Sequence, residues 1–123
     1  MSRARIVLEG EICSGLKFYK NDAIVVATVT LDMMKNAGAT ENDCDDIAGI
    51  PGRVEGCVVS MVIRELTEGK CKVSVRSQPD FDSSALCAVF GGGGHKMASG
   101  CTINADPDTV RQMMIDALDK LWD

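Results

Sequence analysis

Apolar residues along this chain fall into short clusters separated by polar and glycine-containing breaks, never into one long run. In the first third, the clusters at residues 5–9, 16–20 and 23–30 are rich in Ile, Val, Phe and Tyr. They predict three strands, with the polar pair Asn21-Asp22 suited to a tight hairpin turn between the last two. Residues 31–37 then read as a short helix stopped by Gly38, and Thr40 with Asp43 three positions on has the form of a capping box opening a helical segment to about Ala48. Gly49-Ile50-Pro51-Gly52 ends that segment. Residues 54–64 and 71–77 are expected to form a second hairpin across a polar, glycine-containing connection. In its second arm Cys71, Val73 and Val75 alternate with Lys72, Ser74 and Arg76, so one face is apolar and the other carries donors.

The last third repeats the alternation of helix and strand. Asp80 or Asp82 can cap a helix through Ala85, Leu86, Val89 and Phe90, which ends where four glycines begin; residues 100–103 read as a short strand. Asp106 followed by Pro107 has the form of an N-cap with proline in the first turn. Val110, Met113, Met114, Ala117, Leu118 and Leu121 then recur at helical spacing as one apolar stripe. The fold class expected is therefore α/β in the α+β sense, a mixed sheet of five or six strands with packed helices, in a single domain over residues 1–123.

Composition narrows the choice. No apolar stretch approaches the roughly 20 residues that span a bilayer, and the basic N-terminus lacks the apolar core of a secretory signal, so a cytoplasmic protein without membrane contact is expected. The six cysteines, Cys13, Cys44, Cys57, Cys71, Cys87 and Cys101, include no CxxC pair and fall largely within apolar runs; reduced, packed thiols are expected rather than a disulfide or zinc framework. A net charge of −5 argues against wrapping a long duplex, whose affinity comes from clustered cations. A short anionic ligand held by a few local groups is compatible with it.

The candidate chemistry lies at Gly91, Gly92, Gly93, Gly94 and His95, four glycines delivered by an apolar segment and followed by the only histidine. Without Cβ atoms, the backbone can turn several N–H groups toward one point, which suits a phosphate. An imidazole beside a phosphate is driven toward its charged form and then donates two hydrogen bonds. Arg76 is the natural second contact, because its guanidinium fork matches two phosphate oxygens, while Lys72 and Lys96 are expected to be solvated. The loop is not a Walker loop, since no Gly-Lys-Ser/Thr ends it. No HxD, DHH or HExxH string is present, and the acidic residues Glu41, Asp43, Asp45 and Asp46 read as a solvated helix face, so no metal site and no catalytic residue are expected here.

Lys72-Val73-Ser74-Val75-Arg76-Ser77, then Asp82 and Phe90, then Gly91 to Cys101 resemble the C-terminal DHH-associated substrate-binding domain of DHH-family phosphoesterases, and most nearly the nano-RNase and pAp-phosphatase, exopolyphosphatase-related branch. The likeness extends more loosely over nearly the whole chain. It implies an α/β domain that closes over a separate catalytic domain carrying two manganese ions, with substrate in the cleft between them. It also implies that Arg76, the glycines 91 to 94 and His95 grip phosphate and nucleotide, with Ser74 and Ser77 as weaker contacts. Met97 and Ser99 depart from a loop that more often has Asn and Ala there.

The function expected from the resemblance is recognition of the phosphate end of a short single-stranded RNA or DNA, or of pAp, for a manganese-dependent phosphoesterase. The catalytic DHH domain has no counterpart in these residues, so the chain alone is expected to be inactive and to have that domain as a partner. The alternative is a free-standing nucleotide-sensing or interaction module, for which a second copy of the chain is a candidate partner.

Overall fold

The computed structural model describes residues 1–123. Six strands form one sheet: β1 (Lys17–Tyr19), β2 (Ile24–Val29), β3 (Val59–Thr67), β4 (Lys70–Ser77), β5 (Gly93–His95) and β6 (Ala98–Ile103), in the order β1-β2-β3-β4-β6-β5. Only β2 and β3 are parallel, and their connection holds α2 (Leu31–Ala37) and three short 3-10 turns, Glu41–Cys44, Ile47–Gly49 and Pro51–Arg53. The remaining pairs are antiparallel, as short connections permit. The sheet is mixed and carries helices, as the polar and apolar pattern predicts.

Alternation along the strands assigns residues to two faces. Ile24, Val26, Val59, Met61, Ile63, Cys71, Val73, Val75, Cys101 and Ile103 form one face, which packs against α3 (Ser83–Ala88) and α4 (Pro107–Leu121) in a core of 18 buried residues. On the opposite face Ala27, Val29 and Val62 join Leu8, Ile12, Cys44, Ile47 and Ile50 in a smaller core. That second cover lies over β2 and β3, with the turn Ile47–Gly49 reaching one side of β4. Beyond that turn, the same face of β4, β6 and β5 is left open.

Residues 5–9 are not a strand. They lie within α1 (Arg3–Ser14), where the Ser2 hydroxyl accepts from the Arg5 amide, Arg5 pairs with Glu9 at 3.1 Å, and Leu8 and Ile12 bury one stripe. The Ile-Val-Leu run reads as a strand from its β-branched composition, but only Leu8 faces the core, and Ile6 and Val7 point outward. The segment after Thr40 is also not a continuous helix. Its capping box forms, with Asp43 Oδ2 accepting from the Thr40 amide at 2.8 Å, but Asp46 adopts φ 61° and breaks the helix. The Arg5 guanidinium takes the carbonyls of Asp43 and Asp45, which a continuing helix would need. The strand expected from Val54 begins five residues later, because Gly56 at φ 85° closes a turn with Cys57 donating to the Val54 carbonyl.

Other elements follow the sequence closely. Gly38 ends α2 at φ 69°, Asp82 caps α3 by accepting from the Ser84 and Ala85 amides, and Asp106 caps α4 through the Thr109 amide. In α4, Val110, Met114, Ile115, Ala117 and Leu118 are buried, while Met113 and Leu121 border the stripe and remain partly exposed. Cys44, Cys71, Cys87 and Cys101 are buried thiols. No helix is long and apolar enough to cross a membrane.

Candidate functional site

The open half of the sheet collects the polar residues that alternation turns away from the main core. Arg76 on β4 stands directly opposite Ala98 on β6, and Ala98 stands directly opposite His95 on β5. Directly opposed residues share a face, so Arg76 and His95 project from the same side of the sheet, about 10 Å apart across two strand spacings. The floor between them is Ala98, with Gly93 and Gly100 beside it, and no bulky side chain fills the gap. Neither the Arg76 guanidinium nor the His95 imidazole makes a hydrogen bond or ion pair within the chain, and both are exposed.

Ser74 lies two residues from Arg76 on the same face, half-buried, with its hydroxyl unpaired within the chain. Ser77 does not join them. It faces the other side, donating to the Phe81 carbonyl at 2.8 Å and accepting from the Ser83 hydroxyl at 2.7 Å, and so ties the end of β4 to the start of α3. Its hydroxyl is spent on the fold.

The glycines divide into two roles, which corrects the picture of the whole run turning its N–H groups toward one guest. The Gly91 and Gly92 amides donate to the carbonyls of Ala88 and Cys87 at 3.1 and 3.0 Å, closing the end of α3. Gly93, Gly94 and His95 form the edge strand β5, joined to β6 by the two-residue turn Lys96-Met97. Within the glycine run, this edge strand leaves backbone groups without a strand partner. The reason for the run is steric: a Cβ at Gly92 would stand 2.2 Å from the Gly100 carbonyl oxygen, and one at Gly94 would stand 2.8 Å from the Ala98 carbonyl oxygen. Ser99, one of the departures from the usual loop, donates to the Cys87 thiol at 3.2 Å and joins β6 to α3.

Beside Arg76, the sheet meets the 3-10 turns in a groove of about 200 Å³ lined by Cys44, Asp46, Ile47, Ala48, Val62, Arg64, Lys72, Ser74 and Arg76. Lys72 is exposed, as expected, and borders this groove; Arg64 is not among the candidates read from the sequence. The available signal was the alternation of β4, which puts Lys72 on the face of Ser74 and Arg76; the position of Arg64 depends on the β3–β4 register. Asp82, the cap of α3, is held below the usual carboxylate value chiefly by the Ser84 hydroxyl and then by the Ala85 amide. No group of three or more His, Cys, Asp or Glu side chains converges to hold a metal ion. The residues present do not fit a two-manganese centre.

The sequence matches the DHHA1 domain family over residues 21–122. It is 36% identical over 112 residues to the bifunctional oligoribonuclease and PAP phosphatase NrnA of Thermus thermophilus, covering 90% of this chain and 33% of that protein. Among solved structures, an exopolyphosphatase-related protein from Bacteroides fragilis superposes with a TM-score of 0.88 at 29% identity, over 98% of this chain and 35% of that one. A pGpG-specific phosphodiesterase from Vibrio cholerae shares the fold, with a TM-score of 0.66 at 16% identity over 97% of this chain and 40% of that one. The chain thus spans about a third of the length of the curated relative it matches.

Proposed function

We propose, from the premise that this chain belongs to the DHHA1 domain family, that it holds the phosphate end of a short oligonucleotide or of pAp and presents it to a catalytic DHH domain. The observation that carries this reading is the row Arg76, Ala98, His95: two uncommitted donor side chains on one open face, over a floor of small residues. A phosphate above Ala98 can take both guanidinium and imidazole hydrogen bonds. Manganese belongs to the catalytic partner in this reading, because the acidic and imidazole groups of this chain do not converge. It would there supply a Lewis acid and an activated water. This chain contributes positioning.

The test is calorimetric titration of the chain with pAp and with a 5′-phosphorylated dinucleotide. Arg76→Ala and His95→Ala should each weaken binding by about 1–3 kcal/mol, the range for losing a hydrogen bond to a charged group. Unchanged affinity in both variants would remove the row from the site. Turnover of pAp or a dinucleotide by the purified chain with added manganese would overturn the assignment of chemistry to a partner domain.

A further inference from the structure

Resting on the reading above, we propose that the groove beside Arg76 is a second phosphate subsite, in which Lys72 and Arg64 hold a backbone phosphate of an oligonucleotide whose terminal phosphate lies at Arg76 and His95. Arg64 on β3 and Lys72 on β4 are directly opposed in the register, and like charges so placed repel each other. Arg64 has one carboxylate partner, Glu41, which is itself largely exposed; Lys72 has none. With Arg76, three cations line a groove whose only acidic wall residue is Asp46. This concentration occurs in a chain of net charge −5, so general basicity does not explain it.

The groove also has the shape of a continuation. Lys72, Ser74 and Arg76 occupy successive same-face positions of β4, so Lys72 and Arg76 are about 13 Å apart along the strand. The unpaired Ser74 hydroxyl stands midway. Val62, opposite Ser74, forms the floor, while Ile47 and Ala48 supply an apolar wall against which a sugar or base can rest. A polyanion with spaced charges matches this array, whereas a ligand with one phosphate uses only the Arg76 end.

The experiment titrates the full chain with 5′-AMP and with 5′-phosphorylated triadenylate, for wild type, Lys72→Gln, Lys72→Arg and Arg76→Ala. Lys72→Gln should weaken the trinucleotide by about threefold to tenfold, leave 5′-AMP unchanged, and lower the slope of log affinity against log salt by about 0.7 in magnitude. Lys72→Arg should retain trinucleotide affinity. If Arg76→Ala weakens both ligands while Lys72→Gln weakens neither, or weakens both equally, the subsite is refuted and the terminal-phosphate reading stands. If Arg76→Ala changes neither ligand, the terminal-phosphate reading fails and the subsite built on it falls as well.

Discussion

A Cβ added at Gly92 would also stand 2.6 Å from the Cβ of Cys101, whereas one added at Gly93 meets nothing within 4 Å. Gly92→Ala should therefore cost about 1–3 kcal/mol in urea denaturation, as overpacked sites do, and Gly93→Ala should stay near wild type. Equal stabilities would mean that backbone crowding does not explain the run. Three aspartates make a second residue-scale prediction. Asp43 is held below its ordinary value of 3.8 first by the Ser2 hydroxyl, Asp82 by the Ser84 hydroxyl, and Asp106 by the Thr109 side chain. A carboxylate depressed in the folded state contributes stability that is fully present above its unfolded value and is lost as pH falls through the folded value. Melting temperature should thus hold above about pH 4 and drop below it. An Asp82→Asn, Asp106→Asn double variant should show a shallower acid decline, and an unchanged one would sink the attribution. These residues were legible in the sequence because capping is local: Asp82 and Asp106 reach only two or three positions ahead.

At the scale of elements, the sequence was most informative where a stop signal and a period agree, as in α2 and α4, and least where a short apolar run could serve either geometry. α1 shows why. Its cover of the small core depends on Leu8 and Ile12, and Leu8→Ala should destabilise by about 2–5 kcal/mol, against a small effect for Val7→Ala on the outward side. Comparable losses at the two positions would contradict the outward placement of Val7 on this helix. The segment after Thr40 carried a correct capping box yet no lasting helix, since the Arg5 side chain from a distant element claims its carbonyls. Local propensity could not anticipate that competitor.

For the whole molecule, the order β1-β2-β3-β4-β6-β5 sets a gradient of protection. Amide exchange should be slowest in β3 and β4, paired on both sides and buried on at least one, and fastest in β5, a three-residue edge. Slow exchange in β5 would contradict an open edge beside the candidate site. The same order explains why the site was half legible. Arg76, Ser74 and the glycine run with His95 are recognisable from residue type and alternation, and so is the apolar face behind them. Their convergence is not, because β6 must insert between β4 and β5 in one register to set Arg76, Ala98 and His95 in a row. The amino-acid order by itself settled which side chains are apolar, where most helices begin and stop, and which side of β4 carries the polar residues Lys72, Ser74 and Arg76. Only tertiary pairing decided that α1 covers half of one face and leaves the other half bare, that Ser77 turns inward, and that Arg64 comes to Lys72. Strand register and layer cover are long-range choices, governed by burial summed over the sheet, and no window of neighbouring residues contains them.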